Sequence, residues 1–320
     1  MSLRTMGLIA SLLSTNQHSA ELNLPKDGWV TWQVAAVADA PNWCCFGDER
    51  EPRKACNLEG RSNGYGSRSD DGPVDSTHIY ARFSAGQLQS LRAYGPNCAV
   101  SAPSGIADLG SIDAESSARW LATQLTPRSA RTDDVLAALA THAGAVADAE
   151  LLRVASNDPA RESRKDALFW MGQLRGETGA AAIAPFLTGD ADAKVREHAG
   201  FAISQSRSAR RAELLIQQAQ QDSSSQVRSQ AWFWLAQTGD PLAENAIGAA
   251  VQNDPEEKVR NQAVFALSQL PEQRGSSALI AVLENPKIAL DERKQALFWL
   301  GQSEDQAAHD YIARVLSVGR

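Results

Sequence analysis

Four cysteines are the residues of this sequence best suited to covalent chemistry: Cys44, Cys45, Cys56 and Cys98. Because an even number of cysteines in one small, loop-rich segment is typical of a disulfide framework, we expect two disulfides. A bond between the adjacent Cys44 and Cys45 would be strained, so one of them should pair with Cys56 and the other with Cys98. A zinc site and free thiols are the alternatives, but tetrahedral zinc usually takes pairs of cysteines separated by a few residues. The cysteines therefore favour an oxidising compartment, and reduced cysteines would instead indicate the cytoplasm.

The segment 60–73 contains two further patterns that are associated with chemistry. Gly60–Gly64 has the letters of the G-x-S-x-G nucleophile motif, with Ser62 at its centre. That motif requires a strand before the serine and a helix after it, whereas this polar, glycine-rich segment predicts a long loop. Asp70 and Asp71 carry the oxygens that calcium prefers, but their spacing does not fit an EF-hand loop. We therefore predict no catalytic residue, no metal site and no cofactor.

Strand patterns surround the cysteines. Trp29–Val34 alternates apolar and polar residues with the period of a half-buried strand. His78–Phe83 and Gln87–Tyr94 flank a short turn at Ser84–Gly86, which predicts a β-hairpin. Together with the cysteines, these strands predict a small β-rich domain over residues 21–108.

The second half of the chain repeats one ten-residue phrase five times, at spacings of 32, 32, 32 and 33 residues. The first residue of the phrase is Arg164, Arg196, Arg228, Arg260 or Arg293. The sixth residue is Phe169, Phe201, Phe233, Phe265 or Phe298. The phrase is rich in Ala, Leu and Gln and free of proline, so it predicts a helix, A, and a second apolar helix, B, follows each copy. Repeats of this length stack on one another and share one continuous core.

An aspartate precedes each of the first four repeat arginines by six residues: Asp158, Asp190, Asp222 and Asp254. An aspartate in this place can cap a helix or accept a charge-assisted hydrogen bond from an arginine in the same or the neighbouring repeat. A one-residue insertion near Pro286 leaves the fifth copy without it. Because the arrangement recurs from repeat to repeat, we predict that these aspartates and arginines form a structural ladder and not a single active site.

The segments Lys194–Arg196, Gln226–Arg228 and Lys258–Arg260 each place Val-Arg at the start of the phrase, ahead of the alanine column. This pattern resembles HEAT-like repeats, in the short form of phycobilisome-lyase-type HEAT repeats. The whole layout also resembles bacterial exported HEAT-repeat proteins in which a small cysteine-containing domain precedes the repeats. The resemblance implies a mainly α protein, with a HEAT-like α-solenoid of about five to six helical hairpins preceded by the β-rich, disulfide-bearing domain. No residue here matches a lyase catalytic residue, so that activity is not carried over.

The chain divides into four segments. Residues 1–20 are predicted to be a secretion signal or a disordered segment, and residues 21–108 form the β-rich domain. Residues 109–162 form a helical junction with a degenerate capping repeat, and residues 163–320 form the five repeats. In the first segment, Arg4 precedes an apolar run from Met6 to Leu13 that is too short to span a bilayer and predicts export. In the last segment, Val315–Val318 has no recognisable cap, so we expect this end of the stack to be open to a second copy or a partner.

Charge and the phenylalanine column indicate the class of function. A net charge of −7 and a pI of about 5.3 argue against nucleic acid as a partner, because proteins that bind it usually carry a basic face. The phenylalanines either pack between neighbouring A helices or form an aromatic stripe that grips an extended partner. We therefore predict a non-enzymatic protein-binding or scaffold module of the bacterial envelope, periplasmic or otherwise exported, with a protein or peptide partner and no transmembrane segment. The alternatives are a lyase-like or cofactor-handling enzyme that uses the junction of the β domain and the solenoid, and a regulatory subunit of a partner enzyme or signalling complex.

Overall fold

A four-stranded β-sheet lies at the N-terminal end of a stack of paired helices. The computed structural model describes residues 22–45, 55–60, 65–66, 72–126 and 131–318. The strands are β1 (Gly28–Ala40), β2 (Cys44–Cys45), β3 (Cys56–Asn57), β4 (Tyr65–Gly66), β5 (Val74–Ser84), β6 (Gln87–Tyr94), β7 (Val100–Ser101) and β8 (Ile106–Ser111). The sheet has the order β6-β5-β1-β8, with β8 parallel to β1 and the other neighbours antiparallel. The domain boundary predicted at residue 108 falls within β8, so the last strand of the sheet leads directly into the first helix.

Helices make up most of the chain after the sheet. They are α1 (Ala114–Thr123), α2 (Thr132–Thr141), α3 (Ala145–Asn157), α4 (Arg161–Leu174), α5 (Gly176–Ile183), α6 (Phe186–Gly189), α7 (Ala193–Ser204), α8 (Arg211–Gln221), α9 (Ser225–Gln237), α10 (Leu242–Asn253), α11 (Glu257–Ser268), α12 (Glu272–Glu284), α13 (Leu290–Leu300) and α14 (Gln306–Val318). The repeated phrase lies in α4, α7, α9, α11 and α13, which are the A helices. The B helices are α5 with α6, then α8, α10, α12 and α14. The predicted α-solenoid behind a β-rich, disulfide-bearing domain is confirmed.

Both faces of β1 are buried over its first half, whereas its alternating residues predicted a half-buried strand. Val30 and Trp32 face the large core that the sheet shares with α1 and α2. Trp29, on the opposite face, packs in a second cluster beside the disulfides Cys44–Cys98 and Cys45–Cys56. The prediction of a half-buried strand is wrong because these disulfide-bonded segments cover the second face. The two disulfides follow the pairing that the sequence favours.

A buried chain of hydrogen bonds fixes the sheet to the first helices. Trp32 Nε1 of β1 donates to Ser117 Oγ of α1 at 2.8 Å, and this oxygen lies 2.9 Å from His142 Nε2. His142 Nδ1 donates to the carbonyl of Ala138 in α2 at 2.7 Å, which leaves Nε2 to accept from the serine hydroxyl. Burial lowers the pKa of His142 to about 4. The histidine is therefore neutral and joins the sheet to both helices.

Neighbouring A helices lie closer together than neighbouring B helices do. Gly172 of α4 shows how close the contact is, because a Cβ at this position would lie 2.9 Å from the carbonyl carbon of Ala202 in α7 and would overlap the carbonyl oxygen. The exposed sides of the A helices lie next to one another and form one face of the solenoid. The β domain adjoins this surface at Trp43, whose ring centroid lies 5.5 Å from that of Trp170 in α4.

Candidate protein-binding surface

Aromatic rings form a continuous ladder along the A helices. Within single helices, the ring centroids are 5.1, 4.9 and 5.0 Å apart in the pairs Phe169–Trp170, Phe233–Trp234 and Phe298–Trp299. Between helices, they are 6.0, 4.8, 6.0 and 4.9 Å apart in the pairs Phe169–Phe201, Phe201–Trp234, Phe233–Phe265 and Phe265–Trp299. These eight residues, together with Trp43, are called the aromatic ladder below. The ladder extends from the β domain to the fifth repeat.

The alternation of large and small residues after each phenylalanine positions the rings. Phe201 is followed by Ala202, and its ring meets the indole of Trp234 in the next repeat. The fourth and fifth repeats show the same arrangement. The ladder therefore follows from a two-repeat alternation that is visible in the sequence.

The ladder is partly open to solvent. The first four phenylalanines of the repeated phrase are half-buried, and Phe298 is 59% exposed. Trp170 is only 4% exposed and lies in contact with the rings of Trp43 and Phe169. Aromatic pairs of this kind contribute about 0.5–1.5 kcal/mol each beyond the area that they bury. The structure thus brings the five predicted phenylalanines together in one row that packs the A helices against each other and is also partly exposed to solvent.

A groove of about 730 Å³ lies between α11 and α13. It is lined by Glu257, Lys258, Asn261, Gln262, Phe265, Gln295, Phe298 and Trp299. Asn261 Oδ1 is buried there and has no hydrogen-bond partner among the residues that the structure describes. Gln262 and Gln295 stand three residues before their phenylalanines, the place that Gln230 takes in the third repeat. The groove therefore combines aromatic surface with amides that can donate and accept hydrogen bonds.

Lysines beside the ladder have partners within the same surface. Three of them form ion pairs within one helix, at 2.7, 2.7 and 3.0 Å: Lys165–Glu162, Lys194–Glu197 and Lys294–Asp291. Lys258 of α11 donates to Gln226 Oε1 of α9 at 2.9 Å. Exposed ion pairs contribute little to stability, but each carboxylate locally offsets the charge of its lysine.

Carboxyl groups also gather where the β domain meets the ladder. Asp133 of α2 accepts a hydrogen bond from Trp170 Nε1 at 2.7 Å. Burial, with Asp133 and Glu162 nearby, raises the pKa of Asp166 to about 6, and burial lowers the pKa of His198 to about 4. Within the described ranges, no group of three or more His, Cys, Asp or Glu side chains is arranged to hold a metal ion. Asp166 is therefore a group at this junction whose charge changes at mildly acidic pH.

The predicted arginine and aspartate columns connect successive repeats. Arg196 donates to the Asp222 carboxylate of the next repeat through Nε at 2.7 Å and Nη2 at 3.0 Å, and to the carbonyl of Asp190 at 2.9 Å. Arg228 bonds in the same way to the Asp254 carboxylate and to the carbonyl of Asp222. Each aspartate of the column also accepts from the backbone N–H two residues later. The Asp222 and Asp254 side chains thus each fix a loop and an arginine of the preceding repeat together.

The first and last of these links differ. Arg164 donates to the carbonyl of Asp158 at 3.2 Å, and its Nη2 lies 3.9 Å from Asp192. Arg260 donates to Glu292 at 2.6 Å, and this glutamate, 1% exposed, takes the place of the aspartate that the fifth repeat lacks. Sequence reasoning missed Glu292 because it lies inside α13 and not in the loop before it. The one-residue insertion was the signal that could have found it.

Some predicted features lie outside the described residues: residues 1–20, Ser62, Asp70 and Asp71. Among the helices that the structure does describe, none is long and apolar enough to cross a membrane.

Residues 212–297, from α8 into α13, match the family model for HEAT repeats. This protein contains HEAT repeats. Among solved structures, human deoxyhypusine hydroxylase in complex with glycerol is similar at 17% identity over 61% of this chain and 76% of that chain, with a TM-score of 0.35. YibA from Escherichia coli is similar at 24% identity over 51% of this chain and 62% of that chain, with a TM-score of 0.34. The comparison with curated proteins gave no match.

Proposed function

We propose that this protein is a non-enzymatic scaffold of the bacterial envelope whose HEAT repeats bind an extended segment of a partner protein. The aromatic ladder is the observation that carries this proposal. It runs unbroken along the A helices from Trp43 to Phe298, and its last ring is 59% exposed. Apolar side chains of the partner would lie against the ring edges, where contiguous apolar surface is typical of interaction sites.

The spacing of the repeats suits an extended polypeptide. Packed helices lie about 8–10 Å apart, and an extended chain rises about 3.3 Å per residue. About three residues of the partner would therefore span one repeat. Gln230, Gln262 and Gln295 recur at the same spacing as the repeats, and each amide can both donate to and accept from a peptide backbone. The local pairing of lysines with carboxylates beside the ladder supports a partner segment with few charges.

The two disulfides support a place in the envelope, because structural disulfides persist in oxidising compartments. Intact mass after alkylation of the protein, purified without reductant from its native host, tests this part of the proposal. We expect no alkylated cysteine. Alkylation of all four thiols would remove the support for export and would redirect the search to cytoplasmic partners.

Selection of random 12-residue peptides on phage against the disulfide-intact protein tests the binding function, followed by titration calorimetry with the best peptide. We expect selected peptides to be apolar, and we expect Phe298→Ala to weaken binding about tenfold, since an anchoring aromatic contributes on the order of 1–2 kcal/mol. Leu242→Ala is the matched control, because Leu242 is 51% exposed on a B helix, away from the ladder. Failure to select any peptide, or equal losses for the two variants, would count against the ladder as the binding site.

A further inference from the structure

Arginine side chains join the loops of successive repeats at the turns between A and B helices. Arg211, at the start of α8, donates through Nη1 to the carbonyl of Ser206 at 3.4 Å and through Nη2 to the carbonyl of Thr238, in the loop after α9, at 3.1 Å. Arg274 of α12 reaches the same loop from the other side and donates to two of its carbonyl oxygens, at 3.0 and 3.1 Å. A guanidinium group is therefore a regular link between these loops.

A pocket replaces the guanidinium between the loops of the fourth and fifth repeats. In the two-repeat alternation of the aromatic ladder, these repeats correspond to the second and third. Arg211 stands four residues before Leu215, and the residue four before the corresponding Leu279 is Gly275. The pocket has a volume of about 360 Å³, and its lining includes Gly275, Ser276, Trp299, Ser303, Glu304 and Asp305. None of the lining residues in the described part of the chain has a positively charged side chain.

Oxygen atoms that could accept from a guanidinium surround this pocket. The carbonyl oxygens of Leu267 and Leu270 both lie 3.2 Å from the position that a Cβ on Gly275 would take. Across the pocket, Ser303 Oγ lies 3.1 Å from Ser276 Oγ and forms a direct link between the two loops. Leu270 and Ser303 are the counterparts of the two residues whose carbonyls accept from the arginine of the second repeat. The site thus keeps the acceptors of the second and third repeats without their donor.

A carboxylate of the pocket also lacks a donor. Asp305 Oδ1 accepts from the N–H of Ala307 at 3.3 Å, whereas Asp305 Oδ2 is buried and has no hydrogen-bond partner among the described residues. No other carboxylate oxygen in the described part of the chain is buried in this way without a partner. Glu304 adds a second negative charge to the lining, and Trp299 adds an indole, the ring that attracts cations most strongly. A buried carboxylate oxygen without a donor is costly, so a ligand of this pocket should be a cation that donates hydrogen bonds.

We propose that this pocket binds a guanidinium group, carried by a small molecule or by an arginine side chain of a partner. The group takes the place that Arg211 fills between the second and third repeats, where it donates to Asp305 and to oxygens of both loops. A guanidinium suits the pocket better than an ammonium, because its five N–H donors lie in one plane and reach several acceptors at once. The pocket shares Trp299 with the groove between α11 and α13, but the binding of a cation here does not depend on the function proposed for the aromatic ladder.

The test is a calorimetric titration of the disulfide-intact protein at low ionic strength. The probes are free arginine and N-acetyl-arginine-N′-methylamide, which carry the same guanidinium with and without charged termini, and N-acetyl-lysine-N′-methylamide is the ammonium control. We expect one saturable site for an arginine probe, with a dissociation constant of about 1 mM or tighter, and at least tenfold weaker binding of the lysine compound. Tighter binding of free arginine assigns the site to a small guanidine, and tighter binding of the blocked arginine assigns it to a side chain of a partner.

Gly275→Arg supplies the guanidinium from the chain itself. We expect it to abolish binding of the arginine probes and to raise the urea midpoint of unfolding above that of Gly275→Ala, which controls for the gain in helix propensity. A side chain is compatible with this place in the fold, because the same position holds Arg211, Ala243 or Ala308 in other repeats.

Asp305→Asn tests the carboxylate without altering the loop, because an amide oxygen can still accept from the N–H of Ala307. We expect binding to weaken at least tenfold. Asp240→Asn is the matched control, since Asp240 holds the same position in the third repeat and accepts from the N–H of Leu242 at 2.9 Å, and it should bind like the unchanged protein. The proposal is overturned by the absence of saturable binding for both arginine probes, by equal binding of the lysine compound, or by equal losses for the two asparagine variants. Binding that survives in folded Gly275→Arg would also overturn it.

Discussion

The ion pair between Arg196 and Asp222 should be one of the most sensitive points of the solenoid. The Asp222 side chain has no exposed surface and accepts from Arg196 Nε and Nη2 and from the N–H of Ser224 at 2.8 Å. Asp222→Ala would leave the arginine side chain, 9% exposed, without its carboxylate and would free the loop before α9. Breaking a buried pair in this way costs about 3–5 kcal/mol. We therefore expect a large fall in the urea midpoint of unfolding, followed by circular dichroism.

An exposed ion pair serves as the control that separates the effect of burial on stability from the effect of charge. Arg314 and Glu284 are 3.1 Å apart but 64% and 56% exposed, so Glu284→Ala should cost less than about 1 kcal/mol. Replacing both buried partners together, as in Arg196→Met with Asp222→Leu, should recover much of the loss, because no unpaired charge then remains. If Asp222→Ala costs no more than Glu284→Ala, or if the double variant is worse than the single one, the reasoning from burial is wrong.

Four further predictions concern packing, covalent links and protonation. Gly172→Ala should lower the free energy of unfolding by about 1–3 kcal/mol through overlap with α7, whereas Gly248→Ala in open space should raise it by up to about 1 kcal/mol; urea titration of both variants checks this. Reduction of the two disulfides, which close loops of 11 and 54 residues, should cost about 3 and about 4 kcal/mol, measured as a fall in thermal midpoint on adding reductant. Because the pKa of His142 falls from 6.5 to about 4 on folding, its contribution to stability is present above pH 6.5 and is lost as the pH falls toward 4. Burial raises the pKa of Asp166 to about 6, so the ionised carboxylate destabilises the folded protein at neutral pH, which is opposite to the effect of pH through His142. Asp166→Asn should therefore stabilise the protein at pH 7 by on the order of 1–2 kcal/mol after allowance for partial exposure, and should have little effect near pH 4. If this assignment is mistaken, the difference in urea midpoint between the variant and the parent protein will be the same at pH 7 and at pH 4.

The repeated part of the fold could be predicted because identical positions recur in register. Five copies of one phrase fix the helix type, the hairpin spacing and the stacking direction without any knowledge of long-range contacts. The link from Arg196 to Asp222 was within reach for the same reason. The replacement of the missing aspartate by Glu292 could not be predicted, because Glu292 lies inside α13 and the aspartates lie in the loop before each A helix. Only the position of the carboxylate in space is preserved.

The β domain was less predictable because its contacts are not periodic. The strand pattern and the cysteine pairing follow from local residues, but the burial of Trp29 depends on disulfide-bonded segments distant in sequence. The same holds for the aromatic ladder. The alternation of Trp and Ala is visible in the sequence, whereas the addition of Trp43 to its first rung depends on how the sheet sits against α4.

The hydrogen bonds from Trp32 through Ser117 to His142, together with the bond from Arg207 to the carbonyl of Asp39 at 2.8 Å, fasten the sheet to the beginning of the stack. Opening the first repeats would require the disulfide-bonded domain to detach from them as well, so their free energy of opening should exceed that of repeats farther from the sheet. Amide protons of α2 should therefore exchange with deuterium more slowly than those of α9 and α10. The disulfide-bonded domain is in this sense a clamp that protects the repeats nearest to it from local unfolding.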